Sequence, residues 1–167
     1  MNLLIFEPNL NGHRANYLRM SIEAFVKEGY KLTVLSVEDM WQHPVFTGLD
    51  SHIKKDVTTA NVKMSKGVAR LYQGDKLFNK ELINIWLIRR FVQQQRKYSP
   101  IDLIFLPYLD HISRALALFT NPFFGVKVMG IMMTPRFHYF KLKIADTQPR
   151  LAFLQELLFR RLLSRQH

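Results

Sequence analysis

A histidine beside a glycine, at the end of an apolar run, is the first group in this chain that could do chemistry. His13 follows Gly12 in the stretch Leu3-Leu4-Ile5-Phe6-Glu7-Pro8-Asn9-Leu10-Asn11-Gly12-His13-Arg14. Its imidazole can take or give a proton near neutral pH. Gly12 lets a ligand approach the backbone closely, and Arg14 offers a cation to an anionic ligand. Asp110-His111 is a second pair, a carboxylate beside an imidazole at a helix start. Its competing reading is plain capping of a helix over 111–119, since Asp is among the best N-cap residues. Thr134, Arg136 and His138 form a third group. Arg136 could clamp a phosphate or make an interdomain salt bridge. His43, His52 and His167 have no partners at metal-ligand spacing, and no H-E-x-x-H or D-x-D motif points to a metal.

The elements that must hold these groups alternate between strand and helix. Residues 2–6 read as a strand, 13–28 as a helix stopped by Gly29, and 30–37 as a second strand. A third strand is expected near 57–64 and a loop over 65–75. A long helix covers 77–97, and Pro100 ends it. Ile101 to Leu106 is a buried strand, 109–120 a short helix, 126–133 another strand, 134–147 a polar, aromatic loop, and 149–165 a final helix. Strands of Leu and Ile without polar alternation suit a parallel sheet covered on both faces. The order predicts an α/β domain, a Rossmann-like doubly wound parallel sheet with helices on both faces. A helix that starts at a strand's carboxyl end aims its backbone N–H groups into the crevice where such sheets bind ligands. The loops at 7–13, 37–43, 107–111 and 134–140 lie on that edge.

Composition bounds the rest. The 167 residues suit a single domain with a sizeable core. The absence of cysteine excludes disulfides, zinc-thiolate sites and a cysteine nucleophile. No signal-peptide pattern opens the chain, and no apolar run reaches the roughly 18 residues of a transmembrane helix, so a cytoplasmic protein is expected. Charge is uneven: residues 1–60 carry a net −1, residues 61–100 +7 and residues 101–167 +5, for +11 in all. That balance favours anionic partners, whether phosphorylated substrates, acidic lipid or nucleic acid.

Several nucleotide folds lack their motifs here. The first loop has one glycine where a dinucleotide-binding domain has G-x-G-x-x-G, and there is no Walker A loop. A receiver domain would need more acids than Glu7 after the first strand, and no G-x-S-x-G elbow is present. What remains resembles the N-terminal half of a GT-B glycosyltransferase, of the kind found in bacterial polysaccharide and lipid-linked sugar assembly. The resemblance lies in the strand-loop-helix Leu3–Leu18 with Gly12-His13, in Ile101-Asp102-Leu103-Ile104-Phe105-Leu106-Pro107-Tyr108-Leu109-Asp110, and in Val128-Met129-Gly130-Ile131-Met132-Met133-Thr134-Pro135-Arg136-Phe137-His138. Such enzymes often carry a cleft histidine directly after the last of these strands. Met133-Thr134 stands there in this chain, and His138 comes later.

The resemblance implies a single Rossmann-like domain over 1–167 that binds the acceptor. No tightly bound cofactor is implied. The nucleotide-sugar donor would be held mostly by a second, C-terminal domain or a separate donor-binding subunit, and this chain alone would be inactive. His13 is then a base for the acceptor hydroxyl, a ligand for phosphate or sugar oxygens, or a structural residue. Gly12, Arg14, Asp110, His111, Thr134, Arg136 and His138 are the implied substrate-binding set, with a glycan or lipid-linked acceptor as partner. For Arg19, surface solvation competes with a contact to an anionic acceptor.

A different reading comes from the helix at 77–97, which is apolar around most of its circumference yet carries basic residues. Lys76, Lys80, Trp86, Arg89 and Arg90 combine aromatic and cationic groups as an interfacial helix does on anionic lipid, with Lys63, Lys66 and Arg70 just before it. The alternative function is a non-catalytic basic module docking on anionic membrane or a partner subunit, peripheral at the inner membrane face. A sheet-covering helix with a solvated basic rim is the plain reading. Nucleic-acid binding rests on charge alone, without a recognised motif, and is disfavoured. The last helix is apolar beyond one face, with Leu151, Leu154, Leu158 and Leu162 in one stripe. It is expected to pack on more structure, a partner or lipid, or simply on the core.

Overall fold

The computed structural model describes residues 1–62, 64–74, 77–119, 122–132, 156–158 and 160–161. Five strands, β1 (Asn2–Phe6), β2 (Lys31–Ser36), β3 (Val57–Asn61), β4 (Leu103–Leu106) and β5 (Lys127–Gly130), form one sheet in the order β3-β2-β1-β4-β5. Every pairing is parallel, with Leu3 opposite Leu32 and Leu103, and Leu106 opposite Gly130. Leu3, Leu4 and Ile5 are all fully buried, as required of a strand with helices above and below it.

The two faces build two cores. Leu3, Ile5, Leu32 and Val34 pack with Ala15, Leu18 and Ile22 of α1 (Arg14–Lys27), under the segment that carries Met40, Phe46 and Leu49. Leu4, Phe6, Ile104 and Leu106 pack on the other side with Ile85, Leu87, Ile88 and Val92 of α4 (Leu77–Gln95) and with Ala115 and Leu116 of α5 (Ser113–Leu118). α1 ends as expected: Gly29 takes φ +76° and donates its N–H to Val26 O at 2.9 Å, a left-handed helix stop.

Two expectations change, and one stretch left without an element gains structure. Residues 65–75 are not a loop, since α3 runs Lys66–Gln73 and Ser65 caps it by accepting the Val68 N–H. Lys66 and Arg70 therefore lie on a helix. The expected helix 109–120 is split into a 3-10 turn, Leu109–His111, followed by α5. Residues 38–56, with no element expected, form two 3-10 turns, Met40–Gln42 and Pro44–Phe46, then α2 (Ser51–Asp56). The second is held in part by Arg19, whose guanidinium pairs with Glu23 at 2.8 Å and donates to Val45 O at 2.9 Å. Arg19 is thus tied to the fold at both ends of its guanidinium, with its side chain still 35% exposed. The expected loop 134–147 lies outside the described residues, as does most of the helix expected at 149–165, of which 156–158 and 160–161 are described and helical.

Candidate functional site

In the strand order β3-β2-β1-β4-β5, the chain leaves β1 for α1 on one face and β4 for α5 on the other. The loops after β1 and β4 therefore diverge and leave a crevice at their carboxyl ends, the place where open α/β sheets bind ligands. By contrast, the depression lined by Val26, Gly29, Tyr30, Lys31 and Asp56 lies at the amino ends of the strands.

Gly12 makes the turn into α1 with φ +63°, a left-handed backbone that a side chain disfavours. His13 follows as the exposed N-cap of α1, with no side-chain capping bond. Its Nε2 lies 2.6 Å from Tyr108 Oη, which comes from the loop after β4. Tyr17, one helical turn beyond His13, meets the imidazole edge-on at 5.8 Å and the Tyr108 ring at 6.3 Å. The Arg14 guanidinium lies 4.9 Å from the centre of the Tyr108 ring, within cation–π range. His111 stacks on the same ring at 5.6 Å with 26° between the planes. Two loops nearly one hundred residues apart thus build one aromatic, cationic cluster around Tyr108.

Ionisation in the cluster follows burial. His111 is pushed down to about 4, chiefly by burial and then by the Arg14 charge, with Asp110 opposing and Lys80 adding to the shift. It is a neutral imidazole at pH 7. Burial also raises Tyr108, so its phenol keeps its proton. Glu7, at the end of β1, is fully buried. Burial pushes its carboxyl up to about 8, against the Asn9 N–H that its Oε1 accepts and the Arg14 charge. Its Oε2 has no hydrogen-bond partner among the described residues. Tyr72 of α3 is raised to about 12 by burial and by the Glu7 charge. His111, Tyr108 and Glu7 are therefore uncharged hydrogen-bonding groups at neutral pH, with the charges of Arg14, Asp110 and Lys80 near the cluster.

Of the expected site residues, the base candidate His13 and the substrate-binding candidates Gly12, Arg14, Asp110 and His111 come together. Asp110 sits in the 3-10 turn and does not cap α5; Glu81 of α4 does that, accepting the Ala115 N–H at 2.9 Å. Thr134, Arg136, His138 and Lys76 lie outside the described residues. The basic residues of α4 divide. Lys80 is near enough to act on His111. Arg89 donates to Pro122 O at 2.9 Å and, with Arg96, covers the Phe124 ring at 4.3 and 5.1 Å. Only Arg90 pairs with the exposed Trp86, at 5.4 Å. Tyr17, Tyr108 and Tyr72 were not among the expected site residues. Tyr17 was within reach of the helical repeat, four residues after His13. No group of three His, Asp or Glu side chains among the described residues gathers as metal ligands do.

No family model matches the sequence, and no curated protein is similar to it. The fold is nonetheless one seen before. A UGT transferase from Siraitia grosvenorii, solved in complex with UDP, superposes with a TM-score of 0.56 at 12% identity over 78% of this chain and 27% of that one. Apo UGT2 from Phytolacca americana superposes with a TM-score of 0.59 at 10% identity over 97% of this chain and 43% of that one. This chain spans less than half the length of either. The likeness is one of fold: a Rossmann-like α/β domain of the type these transferases contain.

Proposed function

We propose that this chain is the acceptor-binding half of a GT-B glycosyltransferase, moving a sugar from a nucleotide-sugar to a glycan or lipid-linked acceptor. The observation that carries this reading is the His13–Tyr108 pair at the carboxyl edge of an all-parallel β3-β2-β1-β4-β5 sheet, in a fold shared with two UGT structures. In such a transfer the acceptor O–H breaks and its proton goes to the imidazole. The oxygen pair bonds to the anomeric carbon, and the nucleoside diphosphate leaves with the pair of the broken C–O bond. Gly12, Arg14, Asp110 and His111 orient the acceptor. Thr134, Arg136 and His138 are proposed for the side facing a donor-binding domain or subunit, which holds most of the nucleotide.

The test is release of nucleoside diphosphate from UDP-sugars, with glycan and lipid-linked acceptors, by the chain alone and with a donor-binding domain supplied. We expect turnover only in the second case, reduced about 10²-fold or more by His13→Ala. Turnover indifferent to His13→Ala, or none with any donor and acceptor, overturns the reading.

A second reading, compatible with the first, is peripheral docking on anionic membrane at the cytoplasmic face. It is favoured by Phe78 and Trp86, 39% and 43% exposed on α4, with Arg90 across the Trp86 ring. Among the described residues no helix is long and apolar enough to cross a membrane. Co-sedimentation with anionic but not neutral vesicles, weakened by a Trp86→Ala/Arg90→Ala double variant, supports docking; equal recovery with both vesicles rejects it.

A further inference from the structure

We propose that Tyr108 is a positioning residue for His13, and that Nδ1 rather than Nε2 is the nitrogen His13 presents to its ligand. The inference rests on the transferase reading for what that ligand is, an acceptor hydroxyl. Its geometry is independent of that reading.

Nε2 is already engaged by Tyr108 Oη at 2.6 Å. Tyr108 has little freedom to release it, being 9% exposed and held by three groups: Arg14 at 4.9 Å over the ring, His111 stacked at 5.6 Å, and Tyr17 edge-on. The other nitrogen is open. A side-chain acceptor at a helix N-cap ordinarily bonds a first-turn N–H. His43 does this, its Nδ1 accepting the Val45 N–H at 3.3 Å. His13 precedes α1 with a helical backbone, ψ −6° against 133° at His43, which turns its side chain away from the first-turn N–H groups, and it makes no such bond.

The tautomer follows from the surroundings. His13 sits at the positive end of α1, where a bare lone pair on the nitrogen not bonded to Tyr108 is favoured over an N–H. The proton then sits on Nε2 and is donated to Tyr108 Oη. His13 is thereby set as an acceptor of one proton: the ligand O–H breaks, Nδ1–H forms, and the imidazolium keeps Nε2–H on Tyr108. Generalised, this is a base oriented by a further group, as in other activated sites, with a phenol as the orienter.

Long-range 1H–15N spectra of the 167-residue chain at pH 8 test the assignment. We expect His13 as the Nε2–H tautomer with a slowly exchanging Nε2 proton in the wild type, and fast exchange of that proton in Tyr108→Phe, with unfolding curves confirming that the variant is folded. Nδ1–H in the wild type, or unchanged exchange of the Nε2 proton in the folded variant, overturns the proposal. If Tyr108→Phe does not fold, the wild-type exchange decides: a protected Nε2 proton supports the bond to Tyr108, and exchange as fast as in a free imidazole rejects it. In the transfer assay Tyr108→Phe should lower kcat about tenfold or more through misplacement of the base, with KM nearly unchanged. Transfer that needs His13 but ignores Tyr108→Phe rejects the positioning role and leaves the transferase reading. A locked Nε2–H tautomer without any transfer rejects the transferase reading and leaves the positioning role.

Discussion

Glu81 and Arg114 form an ion pair of 2.6 Å between α4 and α5, with Glu81 wholly buried and the Arg114 side chain 29% exposed. The second Glu81 oxygen accepts the Ala115 N–H at 2.9 Å, and Asn84, one turn further along α4, donates to His111 O at 3.2 Å. α4 therefore grips the last residue of the turn, His111, and the start of α5 that follows it. The helix that looks from sequence like a basic, apolar rod is, on its inner face, the brace of the site.

Removing the brace should be costly. Burial pushes the Glu81 carboxyl up while Arg114 and the helix N–H pull it down. Truncating one member of such a pair leaves the other uncompensated, which costs about 3 kcal/mol. Glu81→Ala is expected to lose that much in urea unfolding. Glu81→Gln keeps an acceptor for the Ala115 N–H and should lose about 1 kcal/mol less.

Glu7 predicts a pH dependence of stability. Its carboxyl is raised from 4.5 to about 8 in the folded protein. Between those values the unfolded chain has released the proton that the native state keeps. Stability from this group is therefore full below 4.5 and falls as pH rises to about 8, by up to about 1.4 kcal/mol per pH unit. Glu7→Gln mimics the protonated form and should flatten the curve, with the variant more stable than the wild type at pH 8. Urea unfolding at pH 5.5 and pH 8 reads the difference; parallel curves for both proteins would reject a raised Glu7.

Gly12 separates backbone from packing. A Cβ there meets nothing within 4 Å, yet φ is +63°. Gly12→Ala should cost about 1–2 kcal/mol through the left-handed conformation alone, and Gly12→Asn less, since Asn tolerates that region. A thermal unfolding series over Gly, Asn and Ala checks the ranking.

Much of this fold is legible in the chain. Leu3–Phe6 and Leu103–Leu106 are apolar without alternation because both sheet faces are covered, and Gly29 and Pro100 mark the ends of helices in between. α3 is hard to see: Gly67 sits inside it, it spans eight residues, and none of them is fully buried. Its trace is Ser65 followed by Val68, Leu71 and Tyr72 at helical spacing. The site divides in the same way. Gly12-His13 and Asp110-His111 are visible from residue type and position at strand ends. Tyr108 is not, because its part depends on a contact across 95 residues, and Glu7 becomes unusual only through burial.

The same cross-sheet dependence makes Gly130 a test of how β5 supports the site. Gly130 pairs with Leu106 at the carboxyl end of β5. A Cβ there would lie 3.0 Å from Leu106 O, 3.2 Å from Leu106 Cβ and 3.3 Å from Leu109 Cβ. Two of those atoms belong to β4, and the third opens the turn that carries Asp110 and His111. Leu109 is also tied to the chain beyond β5 by its N–H to Ile131 O at 2.9 Å, so it cannot retreat alone. Gly130→Ala should therefore destabilise by about 1–3 kcal/mol, as over-packing does, and shift the turn. His111 would lose its stack on Tyr108 in proportion. Gly12→Ala strains only its own turn and should leave the His111 ring signals in place. Thermal unfolding and His111 ring shifts, read together on the two variants, distinguish a displaced loop from a merely less stable protein.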